Sequence, residues 1–216
     1  AKKSMFPPFE LGVIVDPRGA YTTASAAVAK TLATSIEKGL GDFKGKTVTV
    51  LAGTGPVGQV ASRLYVKEGA NVVVTSRDLA RSTAVASKIN QEVGSELACG
   101  VKASEPNEVG DAIKGSDVIL SAGAAGITLL PLQVLKEYGK RSKVVGDINA
   151  VPPLGVEGLK STDENVEFLP GIWGIGALSI GTFKNKVEAQ LFKRAVETPK
   201  GIFDYKIAYD IAKSMV

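Results

Sequence analysis

The chain of 216 residues contains no histidine, a single cysteine (Cys99), one tryptophan and two methionines, and only 6% of it is aromatic. Without histidine the commonest general base and metal ligand are both missing, so a Ser-His-Asp hydrolase is excluded. One cysteine permits neither an intramolecular disulfide nor a multi-cysteine metal centre, and no metal site is expected. A reduced, cytoplasmic setting is the natural reading. Residues 1–9 open with a short basic start, but neither they nor any later segment form an apolar run long enough for a secretory core or a bilayer span. A soluble protein with no membrane partner is expected. Chemistry must then run on lysine, carboxylates, hydroxyls or a cofactor that carries the reaction itself.

What is present is a 44% hydrophobic content, enough for a sizeable core in one large domain or one domain plus a small lobe. The 26 Lys+Arg outnumber the 22 Asp+Glu by four but are spread along the chain, which argues against a nucleic-acid groove. A mild positive balance suits anionic ligands such as nucleotide phosphates.

Residues 11–15 read as a short buried strand ended by the turn Asp16-Pro-Arg-Gly19, and residues 22–37 as an Ala-rich helix capped by Thr22 or Thr23. From residue 47 onward, apolar runs of parallel-strand character (47–52, 71–75, 96–101, 117–121 and 143–147) alternate with helical stretches (to about 68, then 79–92, 108–114 and 131–138). That alternation predicts an α/β fold, a Rossmann-like doubly wound parallel sheet across residues 41–182. Beyond residue 149 come a rigid turn at 151–155, a Gly-rich segment at 171–181, and helices at 184–196 and 205–213. The segments 1–40 and 183–216 are expected to fold together as a small second lobe forming the other wall of a cleft.

Gly53, Thr54, Gly55, Pro56, Val57 and Gly58 form a GxGxxG motif that follows a strand and opens a helix, the context that gives the motif its meaning. Gly53 permits the tight turn, Gly55 lets backbone approach a pyrophosphate, and Gly58 permits close helix–strand packing. The phosphates then rest on the helix N-terminus. An NAD site places an acid at the tip of the second strand. Here that strand ends in Ser76 and Arg77, with Arg81 one helical turn on, a hydroxyl and two planar cations suited to a 2′-phosphate. NADP is the expected cofactor and NAD a weaker alternative, for which the neighbouring Asp78 leaves room. Ser121, Ala122 and Gly123 follow the fourth strand and Asn149 the fifth, at the carboxyl edge where ligands of this architecture bind. Gly176 in the Gly-rich segment is a further cofactor candidate.

With these residues in hand the chain resembles the methylene-tetrahydromethanopterin dehydrogenases, relatives of the methylene-tetrahydrofolate dehydrogenases. The similar stretches are 16–23, 50–58, 121–123, 147–155 and 174–181 with Lys184. The resemblance implies hydride transfer from a methylene-tetrahydropterin to NADP, giving the methenyl form. It places Asp16, Thr22, Thr23 and Lys184 around the pterin, with Lys184 as the catalytic candidate. It also implies a further N-terminal portion, ahead of Phe6, that contributes to the pterin lobe, and a homo-oligomeric assembly. Two other readings stand beside it. One is a shikimate-dehydrogenase-like NADP oxidoreductase, echoed by residues 75–81; the other is a non-catalytic NADP-binding sensor or subunit.

Overall fold

Valine and other β-branched residues dominate the central strands, where such side chains fit a pleated surface covered on both sides. The structure, a computed structural model, describes residues 5–7, 10–198 and 200–216. Thus residues 1–4, 8 and 9 of the N-terminal segment, and Pro199 of the C-terminal one, lie outside the described residues. In chain order the elements are β1 (Gly12–Ile14), α1 (Ala20–Glu37), β2 (Thr47–Leu51), α2 (Pro56–Lys67), β3 (Asn71–Ser76), α3 (Leu79–Val93), β4 (Ala98–Lys102), α4 (Pro106–Ile113), β5 (Val118–Ser121), α5 (Leu132–Tyr138), β6 (Val144–Asp147), β7 (Glu164–Leu169), β8 (Ile172–Ile175), α6 (Ala177–Glu197), β9 (Gly201–Phe203) and α7 (Tyr205–Ser214).

Seven strands form one sheet in the order β4-β3-β2-β5-β6-β8-β7, parallel throughout except for β7, which pairs antiparallel with β8 at the edge. The order reverses at β2, between β3 and β5, and this is the switch point where crevices open in doubly wound sheets. Alternate strand residues serve two cores. Val48, Val50, Val72, Val74, Val118 and Leu120 meet α1, α2, α3, α6 and α7 on one face. Leu51, Ile119 and Val145 meet α4 and α5 on the other. Each such side chain, removed from water, contributes roughly 1.5–3 kcal/mol.

Segments near the two ends of the chain lie side by side. β1 pairs in parallel with β9 as a separate two-stranded sheet, and α1 packs on α6 and α7. Their contacts are not confined to each other, because Ala24, Ala26–Ala29 and Leu32 of α1 share one apolar cluster with the sheet. The alanine content of α1 follows from that position. Small side chains let the helix lie close to β6, where a Cβ on Gly146 would stand 3.3 Å from Thr31 Cγ2. Thr31 Oγ1 and the Tyr65 hydroxyl, 2.8 Å apart, join α1 to α2.

Several boundaries differ from expectation for physical reasons. Helix α1 begins at Ala20, so neither Thr22 nor Thr23 is its cap; Gly19 occupies that position and Asp16, further upstream, accepts from the Tyr21 and Thr22 amides. The helix expected at 108–114 is Pro106–Ile113, opened by a capping box of Glu105 and Glu108. The last long helix starts at Ala177 instead of 184, because Ala177, Ser179, Ile180 and Phe183 are buried against the core. The hairpin β7–β8 and the strand β9 were not expected at all. Among the described residues no helix is long and apolar enough to cross a membrane.

Candidate active site

A cavity of about 560 Å³ opens at the switch point, and the ends of four strands supply its floor: Leu51 at the end of β2 and Ala52 after it, Thr75 and Ser76 of β3, Ala122 after β5 and Ile148 after β6. The turn after β2 is held from two sides. The Gly55 amide donates to Ala52 O at 3.0 Å, and the Ala52 amide donates to Thr75 Oγ1 at 3.0 Å. Ala52 sits at a φ of 52°, a left-handed conformation that a residue with a Cβ adopts only under constraint.

The phosphate loop has the geometry its glycines imply. A Cβ on Gly58 would come within 2.7 Å of Gly53 Cα and 2.9 Å of Ala52 O, so helix and turn touch backbone to backbone there. At Gly55 a Cβ would make only ordinary contacts, with Ala52 O at 3.4 Å and Ala122 O at 3.8 Å; Thr54, Gly55, Pro56 and Val57 line the cavity. Helix α2 starts at Pro56 with no side chain capping it. The first-turn amides of Val57 and Gly58 therefore have no intrahelical partner and confront the cavity with the positive end of the helix dipole. These features fit a dinucleotide pyrophosphate.

Ser76, Arg77 and Arg81 line the same cavity. Both arginines are exposed, and neither makes an ion pair among the described residues. Asp78, the nearest acid, is committed as the cap of α3, accepting from the Ala80 amide at 2.9 Å and the Arg81 amide at 3.3 Å. Among the described residues, arginine is the only charged residue type on the cavity wall.

Of the residues placed beyond the third strand, Ala122 and Gly123 line the cavity. Ser121, Asn149 and Gly176 are not on its wall. Ser121 is fully buried on β5, beside the Asp147 carboxyl. Burial pushes the Asp147 pKa up, while hydrogen bonds from the Asn149 and Val156 amides act in the opposite direction. The Asn149 side chain is occupied in its own loop, accepting from the Val151 amide at 2.9 Å and donating to Pro153 O at 3.0 Å. Gly176 caps α6 against the 160–161 backbone, where a Cβ would lie 2.1 Å from Lys160 O.

Asp16, Thr22 and Lys184 meet at the other end. The Thr22 hydroxyl donates to Asp16 Oδ2 at 2.6 Å, and Thr22 is fully buried, whereas Thr23 is partly exposed. Lys184 lies against the intervening turn: a Cβ on Gly19 would stand 3.6 Å from Lys184 Cε and 3.7 Å from Nζ. Its ammonium pairs with Glu188 one helical turn on. The residues flanking Gly19, Arg18 and Ala20, belong to the cavity wall. Sequence reading missed Arg18, Ala52 and Thr75 as cavity residues. Only the Thr75 position, at the tip of a strand beside the phosphate turn, offers a local signal for such a role.

No protein-family model matches the chain. It is 36% identical over 214 residues to the bifunctional protein MdtA of Methylorubrum extorquens, covering 99% of this chain and 72% of that one. It is 34% identical over 215 residues to the NAD(P)-dependent methylenetetrahydromethanopterin dehydrogenase of the same organism, covering 98% and 72%. Among solved structures, quinate dehydrogenase from Corynebacterium glutamicum in complex with NAD superposes with a TM-score of 0.56 at 18% identity, over 97% of this chain and 76% of that one. The A chain of dipicolinate synthase from Bacillus subtilis does so with 0.54 at 19% identity; this chain spans 85% of itself but only 57% of that chain. Those two likenesses show the fold. The near-complete match to the curated relatives shows more, and the chain belongs to the NAD(P)-dependent methylenetetrahydromethanopterin dehydrogenase family.

Proposed function

We propose that the protein transfers a hydride from the methylene carbon of a reduced methylene-tetrahydropterin to NADP, giving the methenyl form. The observation that carries this reading is one continuous cavity. It holds an uncapped helix N-terminus with Gly55 on its wall, Arg77 and Arg81 without an ion pair among the described residues, and, one residue from the Lys184 contact, Arg18 and Ala20.

When bound, the nicotinamide supplies the hydride acceptor. The substrate C–H bond breaks with its electron pair leaving, and the carbon remains as a cation shared by two nitrogens; no proton moves. An active site without histidine is therefore no handicap, and the protein's work is to hold donor and acceptor carbons in reacting geometry. The phosphate loop fixes one end. At the other, Asp16 and Thr22 shape the start of α1, and Lys184 is set against it by Gly19 and Glu188. A bare ammonium near a developing cation opposes it. Pairing with Glu188 offsets that charge, so the role assigned to Lys184 is a hydrogen bond to a polar pterin atom. Preference for NADP over NAD rests on Arg77 and Arg81 and on Asp78 being engaged as a helix cap. Thr23 is kept as a pterin contact because it alone of the Thr22–Thr23 pair is partly exposed. The expected cytoplasmic location and homo-oligomeric assembly belong to the same reading, the latter supported by exposed Leu11 and Ile202 beside the β1–β9 pair.

The test is spectroscopic. Purified protein is mixed with NADP and methylene-tetrahydromethanopterin, then methylene-tetrahydrofolate, and NADPH and the methenyl product are followed together. Equal amounts of both products from at least one carrier are expected. NADP binding without turnover of either carrier would instead support a nucleotide-binding subunit, and oxidation of shikimate or quinate would support an alcohol dehydrogenase.

A further inference from the structure

Among the described residues, the cavity has three cationic side chains and no carboxylate on its wall. Two of the three, Arg77 and Arg81, belong to the end of β3 and the first turn of α3, where a ribose 2′-phosphate is read. The third, Arg18, comes from a different part of the chain, the turn between β1 and α1. Neither the fold class nor the phosphate motif calls for it.

Arg18 is held in an unusual backbone conformation. It lies at φ 54° and ψ 33°, followed by Gly19 at φ 69°. Only three non-glycine residues among those described have positive φ, and two of them, Arg18 and Ala52, line this cavity. Left-handed backbone is disfavoured for a residue with a Cβ and persists where surrounding contacts impose it. Here Asp16 imposes it. Its carbonyl accepts from the Gly19 amide at 3.2 Å, and its carboxylate takes the Tyr21 amide, the Thr22 amide and the Thr22 hydroxyl. The turn is thereby built onto the start of α1, and the Arg18 guanidinium, exposed and without an ion pair among the described residues, is left on the cavity wall.

Charge balance indicates what it meets. The phosphate loop, residues 53–58, carries no cation, and a helix N-terminus supplies the equivalent of only about half a positive charge. A pyrophosphate carries about two negative ones. Resting on the dinucleotide reading given above, we infer that Arg18 is a cofactor residue that engages the pyrophosphate, completing from the α1 side the cradle that α2 provides. A second consequence is mechanical. The same turn touches Lys184 through Gly19, so an occupied pyrophosphate site fixes the segment against which the pterin-facing lysine rests.

The experiment is a set of binding titrations, with no turnover involved, on wild type, Arg18→Ala, Arg18→Lys and Arg77→Ala, using NADP, NAD, ADP-ribose and 2′-AMP. Arg18→Ala is expected to weaken NADP, NAD and ADP-ribose by a common factor of about ten or more and leave 2′-AMP, which lacks the pyrophosphate, unchanged. Arg18→Lys recovers part of the loss. Arg77→Ala gives the opposite pattern, weakening NADP and 2′-AMP alone. Circular dichroism and thermal midpoints verify folding; if the alanine variant fails there, Arg18→Gly, which relieves the left-handed backbone, carries the same readout. Undiminished affinity of a folded Arg18 variant for NAD and ADP-ribose overturns the inference. A wild-type protein that binds none of the nucleotides overturns the dinucleotide reading and this inference together.

Discussion

The two ends of the cleft are built in different ways. Apart from Arg18, the end assigned to the phosphates and ribose comes from one uninterrupted stretch, β2-α2-β3 and the first turn of α3, within residues 47–81. The end assigned to the pterin joins a turn near residue 16 to a helix near residue 184, brought together by the packing of α6 on α1 and β1. A local site is specified by turn and capping chemistry that neighbouring residues supply. A non-local site exists only as long as the core beneath it holds its parts in place.

The largest expected effects sharpen this contrast inside the local site itself. Gly58→Val drives a side chain into the backbone of Gly53 and Ala52, and is expected to cost about 2–3 kcal/mol of stability as well as nucleotide binding. Gly55→Val meets only ordinary van der Waals contacts at its Cβ, with Ala52 O at 3.4 Å and Ala122 O at 3.8 Å, and should stay folded, yet it fills the volume assigned to the pyrophosphate and should abolish binding of both NADP and NAD. Chemical denaturation alongside nucleotide titration separates the two outcomes. A folded Gly55→Val protein that binds NADP normally would place the site elsewhere.

At the non-local end, Lys184→Ala is expected to lower kcat/KM for the methylene-pterin by about 10²-fold through lost positioning, leaving NADP affinity near its original value. Steady-state kinetics over a range of pH decides what kind of role is lost. If wild-type kcat follows a bell-shaped profile that the variant flattens, Lys184 is an acid/base catalyst and hydride transfer without proton movement is wrong.

A smaller and more selective effect is expected from Arg77→Ala. Removing one charge-assisted contact should weaken NADP by roughly ten- to a hundredfold, or about 1.5–3 kcal/mol, with little change for NAD. Equal losses for both cofactors would erase the distinction between the ribose and pyrophosphate parts of the site.

The smallest effect concerns Glu108 on α4, the helix whose Val109 lines the cavity. A hydrogen bond from Lys102, followed by those from the Ser104 hydroxyl and the Ser104 and Glu105 amides, holds its carboxyl at about 2, well below the usual carboxylate value. A folded-state value below the unfolded one means that the contribution is complete above the unfolded value of 4.5 and is lost as pH falls toward 2. Glu108→Gln should therefore lower the urea midpoint modestly at pH 7 and converge with wild type near pH 2. A difference that persists undiminished in acid would show that the carboxylate's charge is irrelevant to the cap.

What was legible followed the same division. The GxGxxG turn, the five core strands and the arginines after β3 were readable because glycine spacing, β-branched runs and strand-tip residues act over a few positions. The β7–β8 hairpin was not. Its outer strand is an edge, polar and half-exposed, with Asn165 at φ 56° breaking the alternation, and the inner strand carries Gly174 in a segment that reads as loop. The early start of α6 was hidden by Gly176 and Gly181, and β9 is a three-residue strand that exists only through its pairing with β1. The cap of α1 was misassigned to its threonines because the group that acts, the Asp16 carboxylate, lies outside the usual capping distance along the chain.

By itself, then, the sequence determined the doubly wound sheet, the dinucleotide turn and the preference expected at the ribose, since each is written in contiguous residues whose backbone geometry their own side chains dictate. Only the tertiary structure decided that Gly176 packs against the 160–161 backbone, and that Arg18 reaches the cavity while Lys184 rests on Gly19. Those outcomes depend on how α1, α6 and the sheet share one apolar core, and close packing between distant segments leaves no periodic signature in either of them.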